Sequence, residues 1–230
     1  MKSNCTYGLI HNITRVIESV KVVFIDVDGT LTNGLSAWER VHHHFGVVDQ
    51  MNEHTDLFYS GKISYDEWAN IDVGLWKGRF YSELQEALRE IDLLKGSKEG
   101  IELLKNAGFD TVLVSGGIDV FAQNVADLVG ADHVVSNTIG HDNGVIDGTV
   151  NIKVSFSKAD VIEDIKNRHG YDLNKSGAIG DNTNDIAMFK KVKYSIALNS
   201  KHPSVDEVAD ISLRTDNFLV VAQKFLALVK

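Results

Sequence analysis

VVFIDVDGT, Val22 to Thr30, runs an apolar segment straight into two carboxylates one residue apart. A strand has a period of two, so Asp26 and Asp28 leave it on the same side while Val27 packs the other way. Gly29 then lets the chain turn sharply beside the carboxylate pair. An apolar strand, an acidic tip and an immediate turn describe a site at the carboxyl end of a parallel sheet, where open α/β folds bind their ligands. A solvated turn after a core strand would look the same in isolation, because Asp and Gly are common in turns.

Three later segments supply the other parts that phosphoryl chemistry needs. The run TVLV, Thr111 to Val114, ends in Ser115-Gly116-Gly117, a hydroxyl followed by two unhindered backbone amides able to grip phosphate oxygens. Lys158 opens a helical pattern and brings a compact positive charge. AIGDNTND, Ala178 to Asp185, ends a small-residue strand at Gly180 and presents Asp181 and Asp185. Each has a bland reading of its own: a turn, an exposed helix residue, a helix N-cap. Four such segments in order, three of them at strand ends, outweigh those readings.

The wider pattern is a doubly wound α/β fold with a parallel sheet, interrupted once by a helical insertion and once by a β-hairpin. Residues 9–19 read as an amphipathic helix leading into a strand over 21–27. Residues 34–92 are helical and polar with no strand run, a separate small cap; residues 1–33 and 93–230 form a discontinuous core. Helices over 97–107, 118–129 and 216–229 alternate with strands over 110–115, 132–136, 176–180 and 194–197, as βαβ units do. Asp142-Asn143-Gly144 and Asp147-Gly148 mark residues 137–154 as a hairpin. Ser157 with Asp160 reads as a capping box that opens the helix of Lys158.

The chain has 230 residues, 43% of them hydrophobic, enough for a large core. A net charge of −9 without a Lys/Arg cluster argues against nucleic-acid or anionic-membrane partners. One cysteine, Cys5, excludes an intrachain disulfide and any CxxC metal motif. No segment approaches the ~18 consecutive apolar residues of a membrane span. The first twenty residues are too polar for a signal peptide, so a reducing cytoplasm is the expected location. Nothing in the sequence sets an oligomeric state.

DVDGT, VSGG, Lys158 and GDNTND together resemble the four motifs of the haloacid dehalogenase superfamily, in particular its phosphoserine phosphatase-like branch. The likeness runs from about residue 21 to the C-terminus and includes NDIAMFKK. It implies a Rossmann-like core and a Mg²⁺-dependent phosphatase that acts on a small phosphorylated metabolite. Asp26 would be the nucleophile and form an aspartyl-phosphate; Asp28 would be the general acid and then the base. Asp26, Asp181 and the backbone carbonyl of Asp28 would hold Mg²⁺. Ser115, Gly116, Lys158 and Asn184 would bind the phosphoryl group, with Asp185 orienting Lys158 or a metal-bound water.

In true phosphoserine phosphatases an acid shortly after the first motif and an arginine in the cap clamp the serine. Leu35 and Asp72 fall at those places here, with Glu39 and Arg79 as substitutes if the alignment shifts. The expected substrate is therefore a metabolite other than phosphoserine. The alternatives are phosphoserine phosphatase proper, a phosphotransferase, a dehalogenase and a non-catalytic module carrying a phosphorylatable aspartate.

Other cap residues have plainer readings. His42, His43 and His44 are consecutive, and consecutive helical side chains diverge, so a solvated face is expected rather than a shared metal site. Trp38, Trp68 and Trp76 read as packing between cap and core rather than a substrate pocket. His141 and Asp142 read as turn residues, and Cys5 lies outside every motif.

Overall fold

The computed structural model describes residues 21–230; the helix expected over 9–19, and Cys5, lie outside the described residues. Among these, the sheet has seven strands: β1 (Lys21–Ile25), β2 (Phe109–Ile118), β3 (His133–Asp142), β4 (Val145–Asn151), β5 (Gly177–Gly180), β6 (Tyr194–Leu198) and β7 (Ile211–Leu213). Their order is β4-β3-β2-β1-β5-β6-β7. All neighbours pair parallel except β3 with β4. Chain order reverses at β1, between β2 and β5, and that is where an open α/β sheet leaves a crevice at its carboxyl edge.

The alternation in β1 decides which helices cover which face. Val23 and Ile25 pack into one core cluster with Ile101, Leu104, Phe121, Val125, Phe218 and Phe225. These come from α5 (Ser97–Asn106), α6 (Asp119–Val129) and α10 (Phe218–Val229). Val22 and Phe24 point the other way, toward Ile162, Ile165, Met188 and Val205. Those belong to α7 (Ala159–His169), α8 (Ile186–Phe189) and α9 (Pro203–Val208). A strand apolar on both faces is therefore the central strand, and each fully buried side chain contributes about 1.5–3 kcal/mol.

Between β1 and α5 come α1 (Ala37–Phe45), α2 (Val48–Tyr59), α3 (Tyr65–Gly74) and α4 (Tyr81–Ala87). Ser36 with Glu39 and Ser64 with Glu67 form capping boxes that start α1 and α3. The segment 78–81 then runs beside the hairpin: Gly78 N–H donates to Ile146 O (2.9 Å), Ile146 N–H to Arg79 O (2.9 Å) and Tyr81 N–H to Gly144 O (2.8 Å). The hairpin thus props up the helical insertion and leaves less of its own edge unpaired.

Several local expectations change. The hairpin turns at Asn143-Gly144, whereas Asp147-Gly148 lies inside β4. His141 is a strand residue with its ring 4.0 Å from that of Tyr81. β2 and β3 run longer than expected, and β7 and α9 were not foreseen. The capping box at Ser157 does not form: α7 starts after Lys158, which takes a left-handed backbone (φ 47°) and leaves Ser157 exposed. Among the described residues, no helix is long and apolar enough to cross a membrane.

Candidate active site

The end of β1 stays in the sheet for one residue more, since Asp26 N–H donates to Ile179 O at 2.9 Å. Asp26 is thereby fixed and buried (5% exposed). Gly29, at φ 86°, turns the chain where a Cβ would sit 2.6 Å from the Asp181 carboxylate. Thr30 Oγ1 donates to Asp181 Oδ1 at 3.2 Å, so the β1 and β5 loops are held together. Asp28 Oδ1 accepts Ala37 N–H from the start of α1 (3.1 Å), and Asp28 Oδ2 lies 3.5 Å from Ser115 Oγ.

Lys158 reaches this cluster from the opposite side, fully buried. Its ammonium contacts Asp26 Oδ1 and lies 2.6 Å from Asp185 Oδ1. The left-handed backbone is the device that turns the side chain inward rather than along the helix surface, and such strain tends to collect at functional sites. Asp185 Oδ2 accepts the N–H groups of Asp181 (3.0 Å) and Asn182 (3.1 Å), which locks the second carboxylate. Asp26, Asp181 and Asp185 each present an oxygen, all within 4.8 Å of one another.

Electrostatics follow from this crowding. Burial pushes the Asp26 carboxyl well up against the pull of Lys158, and neighbouring Asp185 and Asp181 add to the rise. Asp181 rises to about 6 through burial and then Asp185. Asp28 also rises to about 6, chiefly through burial and against the Ala37 hydrogen bond. Like charge adds to the rise of Asp28 only through Glu39, and by less than burial does. Burial alone would lower the Lys158 ammonium, but Asp185 and Asp26 outweigh it and raise it.

A cavity of about 620 Å³ opens from these groups into the helices, lined there by Leu35, Trp38, His42, Tyr65, Trp68 and Asp72. A groove of about 660 Å³ between α6, β3 and α7 contains none of the motif residues. At the helical end Asp72 is 3% exposed and Asp72 Oδ1 lies 2.6 Å from His54 Nδ1. His42 Nδ1 is 2.7 Å from Trp38 O, which only accepts, so the proton of a neutral His42 sits on Nδ1. Nε2 then faces Asp72 Oδ2 at 3.5 Å with a lone pair. Burial raises Asp72 to about 6 and lowers His42 to about 4.

All the motif residues expected from the sequence lie around one end of the cavity: Asp26, Asp28, Ser115, Gly116, Lys158, Asp181, Asn184 and Asp185. Of the two glycine amides, Gly117 N–H is spent on Ser115 Oγ (2.9 Å). Asn184 Oδ1 is buried and, among the described residues, has no hydrogen-bond partner. Leu35, Asp72 and Glu39 line the cavity, and Arg79 does not. Arg79 is exposed and lies over the Phe45 ring at 5.4 Å, and the Glu39 carboxylate is tied to Ser36 N–H (2.8 Å) and Oγ (2.7 Å).

The histidine run splits. His43 and His44 are exposed, whereas His42 is fully buried, because it sits one turn after Trp38 on the face of α1 that packs on Trp76. The tryptophans divide too: Trp76 is core, while Trp38 and Trp68 line the cavity. Sequence reasoning missed His54 and Tyr65: Tyr65 shares α3 with Asp72, which helical spacing could have signalled, whereas His54 lies on α2 and no spacing links it to Asp72.

Comparison with known proteins agrees with this geometry. The profile of the haloacid dehalogenase-like hydrolases matches residues 23–190. The phosphoserine phosphatase of Methanocaldococcus jannaschii is 30% identical over 195 residues, 84% of this chain and 92% of that protein. That of Wolinella succinogenes is 28% identical over 194 residues, 84% and 93% of the two chains. A solved phosphoserine phosphatase, a phospho-aspartyl intermediate analogue, superposes with a TM-score of 0.78 at 28% identity, over 93% of this chain and all of that one. A substrate-bound phosphoserine phosphatase complex matches equally well, at 27% identity and a TM-score of 0.78.

Proposed function

The chain belongs to the haloacid dehalogenase-like hydrolase family and is a phosphatase, and from that premise we propose that it hydrolyses a small phosphomonoester through an aspartyl-phosphate on Asp26, with Mg²⁺. The observation that carries the reading is the pairing of two buried aspartates with opposite surroundings. Asp26 makes an ion pair with the Lys158 ammonium, whereas Asp28, among the described residues, makes none and instead accepts Ala37 N–H and faces Ser115 Oγ. A carboxylate held beside a cation is suited to attack; one outside any ion pair is suited to carry a proton to and from the reacting oxygens.

The donor set fits a hard divalent cation. Three buried or half-buried carboxylates share a single Lys158, and burial has raised two of them, a repulsion that a cation would relieve. Asp185 is already committed to Lys158 and two backbone amides. Asp26 and Asp181, with the carbonyl of Asp28, would hold the cation, and Mg²⁺ suits such all-oxygen sites. When bound it would neutralise charge and polarise a phosphoryl oxygen.

Asp26 attacks phosphorus while Asp28 gives its proton to the departing oxygen; Asp28 then takes a proton from the water that cleaves the acyl phosphate. The Ser115 hydroxyl, the Gly116 amide, Asn184 and Lys158 hold the phosphoryl oxygens. Residues 34–92 would serve as the specificity cap over a core that, among the described residues, comprises 21–33 and 93–230.

For the substrate, we read the buried, histidine-paired Asp72 as disfavouring a leaving group with a free carboxylate, so phosphoserine is not the best substrate. The second reading, phosphoserine itself, is favoured by the names of the relatives. Steady-state kinetics on L-phosphoserine beside a panel of phosphorylated metabolites decides between them. The expected result is a kcat/KM for phosphoserine at least ~100-fold below the best ester. Phosphoserine as the best substrate would overturn the first reading and support the second. Chelation with EDTA should abolish turnover and Mg²⁺ restore it. Alcohol release in excess of phosphate release would instead indicate transfer to another acceptor.

A further inference from the structure

The carbonyl oxygen of Gly116 accepts three hydrogen bonds from three parts of the chain. Asn137 Nδ2 donates at 3.0 Å, Trp38 Nε1 at 3.0 Å and Tyr65 Oη at 3.1 Å. Asn137 is a fixed part of the core: it is fully buried, and its Oδ1 accepts the N–H groups of Lys153 and Val154, both at 2.9 Å. Trp38 and Tyr65 instead belong to α1 and α3 of the insertion. Three donors exceed the two lone pairs of a carbonyl. Simple satisfaction of Gly116 would need neither ring.

The consequence lies on the other side of the same peptide group. Gly117 N–H shares that peptide with Gly116 C=O, and a carbonyl that accepts strongly makes its own N–H a stronger donor. That N–H grips Ser115 Oγ at 2.9 Å, which leaves the hydroxyl hydrogen for Asp28 Oδ2 at 3.5 Å. There is no slack in this arrangement: a Cβ on Gly117 would lie 2.9 Å from both Asp28 Oδ2 and Ser115 Oγ. The other oxygen of Asp28 is held by Ala37 N–H, one residue before Trp38. The insertion thus touches one oxygen of Asp28 directly, through Ala37, and reaches the other only through the Gly116–Gly117 peptide and Ser115.

We propose that Trp38 and Tyr65 are positioning residues for proton transfer, holding Ser115 and Asp28 at the leaving oxygen through the Gly116–Gly117 peptide. This rests on the reading of Asp28 as the general acid. Burial pushes the Tyr65 hydroxyl up to about 12, so it remains a donor across the assay range. Its ring also packs against Phe58, Trp68 and Phe156, which gives a purely structural role to compare against.

Tyr65→Phe separates the two roles, because it keeps the ring and leaves Gly116 O two donors. The parameter is kcat/KM, which stops at alcohol release and so isolates the acid step. For an alkyl phosphate, Tyr65→Phe should lose roughly 3–15-fold, and for p-nitrophenyl phosphate less than about 3-fold, since that leaving group needs little proton assistance. Trp38→Phe should show the same leaving-group dependence, and the double variant a larger one. Equal losses on both esters in these variants, or none on either, would overturn the proposal. Asp28→Asn is the control. If it discriminates between the esters and the ring variants do not, only this inference falls; if Asp28→Asn itself does not discriminate, the acid assignment falls and takes the inference with it.

Discussion

Two buried charge clusters face the same cavity, and they are built on opposite principles. At the strand ends, Lys158 sits between Asp26 and Asp185, and those carboxylates hold it charged despite burial. In the helices, Asp72 sits between His54 and His42, where burial opposes charge on Asp72 and His42 alike. The Lys158 ammonium therefore stays charged over the whole working range. The second cluster changes state near neutrality. A cation with a high intrinsic pKa gives the chemistry a constant field, whereas a histidine pair shapes the substrate end without a fixed charge.

Substitution at each cluster tests the contrast. At the strand ends, Asp26→Asn is nearly isosteric and should fold, yet lose at least roughly 10⁴-fold in kcat/KM, because an amide is a poor nucleophile. Retained turnover would mean that the strand-end cluster is structural, and the contrast would collapse.

The helical cluster should answer in stability and substrate preference rather than in the chemical step. Folded Asp72 titrates at about 6 against an ordinary 3.8, so it keeps a proton that the unfolded chain has released. Its term is lost as pH rises from 3.8 through 6. His42 runs the other way, from 6.5 down to about 4, and its term is lost as pH falls through that window. Asp72→Asn removes the buried charge and offers Nδ2–H to His42 Nε2 while its carbonyl still accepts from His54. The variant should melt a few degrees higher than wild type at pH 8, at about 2–4 °C per kcal/mol for a chain of this size. The gain should vanish near pH 4. A lower melting temperature at pH 8 would show that Asp72 is needed as an anion.

The same contrast explains what could be read in the sequence. Asp26, Asp28, Ser115, Asp181 and Asp185 follow short apolar strands, and the strand period and the turn after it already fix where such side chains go. The hairpin turn at Asn143-Gly144 was legible for the same local reason. Lys158 was legible as a residue but not as a backbone conformation, since the two carboxylates that its left-handed backbone lets it reach are remote in sequence. The helical half was read least well. His42 was assigned to solvent because its neighbours belong there, and only the packing of α1 on Trp76 puts it inside. His54, Asp72 and His42 come from three different helices, and no spacing along one helix encodes their meeting. Tyr65 and Trp38 likewise converge on a glycine carbonyl about fifty and eighty residues further along.

The central claim is that Asp26 carries the phosphoryl group, and the most direct measurement is to trap it. Enzyme with Mg²⁺ and a ³²P-labelled aryl phosphate is quenched in acid within the first turnover, and the protein-bound label is then treated with hydroxylamine. The account predicts acid-stable, hydroxylamine-labile label on wild type, more of it on Asp28→Asn, where the water-activating base is gone, and none on Asp26→Asn. Label that persists in Asp26→Asn, or turnover with no trapped label in either wild type or Asp28→Asn, would contradict it.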